Sequence, residues 1–304
     1  MLRAVLALAL GLGVTAGAYV GAQRFQEAIQ QRIFEEQVQR VGQVAVLRMQ
    51  HVIDPVETFG LFAEQRQVNV STFVPELKGR AERAEGLRAM AWLPVVKDRP
   101  LFEQQIKRYY QGFEIREQTP EGDVQTAGPA TAWVPFLLIE PSYTNEVLRG
   151  LDIGNQSALS ETMQQTYIRH APVVSPPFVF TGIDKPLMVA LYYVPEPEGF
   201  AAGLIDPNEL LQTLMEGRPE GIQARLVEEQ SRSVLVTEPG FVEEGSERFA
   251  VSMGGRTFSL DLAKGPDYQP TQLNLAAAAV LGGAGVTVLM LALVLVGGGK
   301  EPEA

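Results

Sequence analysis

One carboxylate in this chain stands where ligand chemistry needs it. Glu140 closes an apolar run, Trp133 to Ile139, and Pro141 follows at once. The run has the length of one buried strand. Proline cannot donate to a sheet ladder, so a loop is expected to leave the sheet there, with the acid at its mouth. The loop returns through Gly150, Leu151, Asp152 and Ile153 and passes to a helix from about Ser157. A rigid strand that delivers an acid into a long loop is a common way to build a small-molecule pocket. Other chemistry is poorly supplied. The only histidines are His51 and His170, far apart in sequence, and there is no cysteine. Disulfides and thiolate metal sites are excluded, and hydrolytic triads and histidine-rich metal centres lack their residues. No nucleophile is spaced with a base, so neither an enzyme nor a cofactor is expected.

The elements that must hold Glu140 lie between two apolar ends. With 304 residues and 46% hydrophobic content the chain can bury one sizeable core or two small ones. The net charge is −11, and the charges at the ends, Arg3, Lys300, Glu301 and Glu303, cancel. The acidic excess therefore lies between about 22 and 272, which disfavours nucleic acid and anionic lipid headgroups. Residues 1–22 carry one charge and suit a span of about 20 residues, an uncleaved anchor. A cleavable signal peptide, with Ala16-Gly17-Ala18 as its site, is the alternative. A second apolar run, 271–296, precedes a tail at 297–304. Two spans place both ends on the cytoplasmic side of the inner membrane, marked by Arg3 and Lys300, and the central region in the periplasm or cell exterior. Gly13, Gly17 and Gly21 recur at the spacing that lets membrane helices approach closely, as do Ala278-Gly282 and Ala279-Gly283.

From Gln23 to about Leu47, Phe25, Ile29, Ile33, Val38, Val41 and Ala45 form one apolar helical face. This predicts a stalk helix, with its connection filling 23–85, packed on its own domain at one height and on a second copy of the chain at another. Leu87 to Val96 reads as a strand, Asp98 as the cap of a helix with Pro100 in its first turn, and Phe113 to Glu117 as a short strand. Leu159, Met163, Tyr167 and His170 recur at helical spacing. Leu187 to Val194 and Gly199 to Ile205 are apolar strands. Asp206-Pro207-Asn208-Glu209 opens a helix. Four alternating strands follow: Ile222 to Val227, Ser233 to Val236, Phe249 to Met253 and Thr257 to Leu262. The fold class is α+β: a long stalk helix, then two small sheets flanked by helices, with modules at 86–205 and 206–270.

The ordered motifs resemble a known family. They are Ala89-Met90-Ala91-Trp92-Leu93-Pro94-Val95, Arg99 with Phe102-Glu103, Gly112-Phe113, Trp133-Val134-Pro135, Ile139-Glu140-Pro141, Asn145, Gly150-Leu151-Asp152 and Ser175-Pro176-Pro177-Phe178. Together, over about 46–262, they look like a CHASE domain, the extracytoplasmic sensor of many histidine kinases and nucleotide cyclases. The resemblance implies two PAS-like modules after the stalk, the membrane-distal one binding a small ligand. It also implies that Glu140 and Ser175 line the ligand cavity and that Gly203 leaves room for the ligand. Trp133, and Tyr192 in a run that departs from the family pattern, complete the implied ligand-binding set. Pro176 departs as well, so ligand identity does not carry over.

Two functions follow as expectations. One is a membrane-anchored ligand sensor acting through a membrane protein partner, because the eight residues after Val296 are too few for an output domain. The other is a structural subunit that keeps the sensor fold inside a larger membrane complex. A sensor needs an open cavity, whereas a scaffold can let side chains fill it.

Overall fold

The computed structural model describes residues 2–65, 70–269 and 275–297, with side chains at 2–4, 7, 275–276, 291 and 293–297 outside the description. The chain forms two compact units, residues 1–39 with 266–304, and residues 40–265.

The first unit is helical. Helix α1 (Leu2–His51) runs without a break, and its early turns lie beside the last helix, Leu275–Gly297. The contact is reciprocal. A Cβ on Gly11 would lie 2.6 Å from Thr287, and one on Gly283 would lie 2.6 Å from Thr15. Each threonine returns its hydroxyl to its own helix, Thr15 to the Gly11 carbonyl and Thr287 to the Gly283 carbonyl, both at 2.8 Å. Of the small residues singled out by spacing, Gly283 takes part in this contact, while Gly13, Gly17, Gly21 and Gly282 have open space where a Cβ would go. Further along, Phe34 meets Tyr268 edge-on, and the Tyr268 hydroxyl donates to Gln37 at 2.9 Å. Among the described residues no helix is long and apolar enough to cross a membrane. The expected spans fall partly, and the tail wholly, outside the described side chains.

The second unit is mixed α+β, with all-antiparallel sheets. Helix α2 (Asp54–Glu64) starts with Pro55 in its first turn, and α3 (Val70–Ala81) follows. Five strands form one sheet: β1 (Ala89–Pro94), β4 (Leu138–Glu140), β5 (Val173–Val174), β6 (Met188–Val194) and β7 (Gly199–Ile205), in spatial order β4-β1-β7-β6-β5. Between them lie α4 (Arg99–Ile106), the hairpin β2 (Arg116–Gln118) and β3 (Val124–Thr126), α5 (Ser142–Asn145) and α6 (Ser157–Arg169). Asp98 caps α4, accepting from the Leu101 amide at 3.0 Å, as its position predicts.

Period-two alternation gives this sheet two apolar faces. One carries Ala91, Leu93, Val189 and Leu191, packed under Phe136 and Phe180. The other carries Trp92, Tyr192 and Gly203, covered by α2 and α3. There Phe73 of α3 meets Trp92 at 6.2 Å, and Gly60 of α2 lets the Tyr192 ring lie directly against the helix backbone.

Helix α7 (Pro207–Leu214), capped by Asp206 through the Asn208 amide at 2.8 Å, leads to the second sheet. That sheet holds β8 (Ile222–Glu228), β9 (Ser233–Thr237), β10 (Glu247–Met253) and β11 (Arg256–Lys264), in order β10-β11-β8-β9. The two sheets meet at the β10–β11 turn, where the Val174 amide donates to the Gly254 carbonyl at 2.9 Å. Helix α8 is the terminal helix, Leu275–Gly297.

Two expected strands shift. The run Trp133 to Ile139 is a strand only at its end, because Pro135 has no amide to give. Trp133 bridges Val96, Pro135 bridges Asp152, and regular pairing with β1 resumes at Leu138. The strand expected at Phe113 to Glu117 forms over Arg116–Gln118, after Phe113 and Ile115 have turned into the core.

Candidate functional site

Glu140 is the last residue of β4 and lies opposite Met90 of β1. Its Oε2 accepts the Ser142 amide at 3.2 Å, which fixes the side chain against the loop. Beside it opens a cavity of about 560 Å³ with two walls. One wall is α3 and its exit, bearing Val74, Lys78, Ala81 and Glu82; the other bears Arg88, Glu140, Pro141, Ser142 and Tyr143.

The sheet-side wall is tightly held. The Arg88 amide extends the ladder to the Leu204 carbonyl at 2.8 Å. Its Nε donates to Asn145 Oδ1 at 3.1 Å, and Nη1 lies 3.8 Å from the buried Asp206 carboxylate. Asn145, fully buried, donates Nδ2 to the Pro141 carbonyl at 2.8 Å. The guanidinium is thereby anchored from behind, and the loop that follows Glu140 is tied down. Each wall offers one cation and one anion: Lys78 and Glu82 on the helix side, Arg88 and Glu140 on the sheet side. Among the described residues none of these four pairs with another. A volume of this size suits a small molecule.

The five ligand residues implied by the sequence do not converge on this cavity. Only Glu140 lines it. Ser175 is fully buried, and its hydroxyl is spent within the fold: it accepts the Val189 amide at 2.9 Å and donates to the Pro176 carbonyl at 2.8 Å. At Gly203 the missing side chain makes room for α2, since a Cβ would lie 2.7 Å from Val56. Tyr192 lies under Gly60 with its hydroxyl 3.4 Å from Glu64. Burial, then the nearby Glu64 and Glu57 carboxylates, push its phenol above the usual range. Trp133 donates its indole N–H to the Gly128 carbonyl at 3.1 Å, and Arg99 lies over its ring at 5.9 Å.

Sequence reading missed Lys78, Glu82 and Arg88. Arg88 had a signal: two residues before Met90, it shares that residue's face, and Met90 is the partner of Glu140. The face beneath Phe136 and Phe180 is filled by buried side chains. Asp152, expected in the loop, is a structural acid that accepts the Val134 and Gly154 amides and the Asn155 side chain.

The model of the CHASE domain family matches residues 66–235, more than half of the chain. The chain belongs to this family. No curated protein matches its sequence. Among solved structures, an extracellular ligand binding receptor from Desulfohalobium retbaense is similar at TM-score 0.49 and 8% identity, over 76% of this chain and 40% of that one. The chain thus spans well under half of that receptor. The ligand-binding domain of the Pseudomonas aeruginosa amino acid chemoreceptor PctB with L-Arg is similar at TM-score 0.44 and 9% identity, over 79% and 98%. The sensory domain of the Campylobacter jejuni chemoreceptor Tlp3 is similar at 0.38 and 9%, over 78% and 97%. Likenesses this weak carry no function across. The family match identifies a sensory domain of the extracytoplasmic, ligand-sensing type.

Proposed function

We propose that this chain is a membrane-anchored sensor that binds a small molecule in the cavity beside Glu140 and transmits its occupancy to a membrane protein partner. The single observation that carries the reading is the cavity itself, two-walled, with Glu140 and Arg88 fixed at one side and charged side chains of both signs around it. Its other wall, α3, packs through Phe73 on Trp92, so a ligand that draws the walls together also pulls on the sheet.

The anchoring half of the proposal places α1 and α8 across the inner membrane, with the two sheets as PAS-like modules outside the cytoplasm. It is supported by the absence of charge from Leu275 to Gly297 and from Ala4 to Ala22. The Gly11–Thr287 and Thr15–Gly283 contacts are of the kind that holds helices together in lipid. The open Gly13, Gly17 and Gly21 face is then available to a second copy of the chain or to the partner.

The test is to extract the full chain in mild detergent, identify co-purified small molecules by native mass spectrometry and titrate them back. Binding lost in Glu140→Gln supports the reading, and binding unchanged in that variant contradicts it. One observation favours the scaffold instead: the sheet face under Phe136 and Phe180 is filled. In that case a stoichiometric protein partner accompanies the chain and no small molecule does.

A further inference from the structure

We infer that the cavity beside Glu140 takes a small zwitterion, an α-amino acid with an apolar side chain; this rests on the cavity being the binding site. Register brings the two fixed charges together. Arg88 stands two residues before Met90, the cross-strand partner of Glu140, and both residues line the cavity, so one small molecule can touch both. Asn145 and Asp206 hold Arg88 from behind, and a guanidinium held in that way presents a planar fork suited to a carboxylate. Glu140 spends Oε2 on the Ser142 amide, which leaves Oε1 for an ammonium group. The second pair, Lys78 and Glu82, repeats the arrangement on α3. Val74, Ala81 and Pro141 supply the apolar surface between the charges.

Charge balance decides the ligand class. A plain anion such as phosphate would gain Arg88 and Lys78 but face Glu140 and Glu82. A plain amine or polyamine would gain Glu140 and Glu82 but leave the Arg88 fork without an acceptor on its cavity side, Asp206 holding it only from behind at 3.8 Å, and would face Lys78. Only a ligand carrying both signs on neighbouring atoms satisfies the sheet-side pair without opposing a like charge. The interior pairing that would otherwise close the site is prevented because Arg88 is tethered away from Glu140 by Asn145 and Asp206.

The experiment uses the full chain in detergent, with L-leucine and L-phenylalanine as probes at millimolar concentration, and their N-acetyl and amide derivatives as controls. Equilibrium binding and thermal shift are read for wild type, Glu140→Gln and Arg88→Lys, the last keeping charge while removing the fork. The expected result is binding of the free amino acid, weakened at least about tenfold by blocking either end or by either substitution. Equal binding of free and blocked forms overturns the inference, as does no binding of either amino acid to wild type. If a chemically different co-purified molecule binds wild type and is lost in Glu140→Gln, the cavity reading stands and the zwitterion falls. If Glu140→Gln changes no binding at all, the cavity reading falls, and the zwitterion with it.

Discussion

Arg48, near the end of α1, donates Nη1 to the Thr213 carbonyl at 3.0 Å, and the same nitrogen reaches the Leu214 and Glu216 carbonyls at 3.4 and 3.0 Å. These carbonyls lie at and just beyond the end of α7, where helical partners run out. A cation at a helix C-terminus also meets the negative end of its dipole. The stalk helix therefore grips the segment that follows β7, the strand next to β1 at the centre of the first sheet. Arg48→Gln removes that grip, and unfolding by urea is expected at about 1–2 kcal/mol lower stability. An unchanged midpoint would show the contact to be idle.

Gly60 and Gly203 are both sites of close approach between α2 and the sheet. Alanine at Gly203 would sit 2.7 Å from Val56, so the helix must shift or strain. Alanine at Gly60 meets the Tyr192 ring, and the helix propensity gained, about 1 kcal/mol, does not offset the overpacking of about 1–3 kcal/mol. Both variants should melt below wild type, and Val56→Ala should rescue Gly203→Ala. Rescue failing in the double mutant would place the strain elsewhere.

Ser175 separates a structural role from a binding one. Its hydroxyl bonds the Val189 amide and the Pro176 carbonyl across a buried edge. Ser175→Ala leaves that buried amide without its partner and should cost about 1–3 kcal/mol of stability while leaving ligand affinity intact. A variant that keeps full stability but loses ligand would return Ser175 to the site.

Acid should weaken the fold through Glu228. Burial pushes its carboxyl up, but Ser231 and the Arg256 guanidinium outweigh burial and hold it below the ordinary 4.5. A folded value below the unfolded one means that its stabilisation is complete above 4.5 and is lost as pH falls through the depressed value. Glu103 behaves alike, its burial outweighed by the Ile115 amide and Arg99. Asp152 runs the other way. Burial lifts it above the usual 3.8, so its contribution rises as pH falls through the folded value. The stability gap between wild type and Glu228→Gln should therefore narrow as pH drops below 4.5. A gap that stays constant across that window would contradict the assignment.

How far the sequence could be read depended on how local each cause is. The caps at Asp98 and Asp206 and the strand Gly199–Ile205 stand where the residues place them, because caps and apolar runs are set by near neighbours. Pro135 was in plain view, yet its effect on the run from Trp133 depends on a loop strand, Gly150 to Ile153, that comes later. Gly203 read as space for a ligand, and only α2 packing Val56 onto it shows what fills that space. Lys78 and Glu82 were invisible as site residues because nothing in their own helix says that it will stand beside β4.

The measurement that bears most directly on the account is hydrogen–deuterium exchange of the full chain with and without its ligand. Slowed exchange concentrated in residues 74–88 and 140–145, the two walls of the cavity beside Glu140, is the predicted result. Protection across residues 133–136 and 175–190, with none in α3, would place the ligand on the opposite side of the sheet and contradict the account.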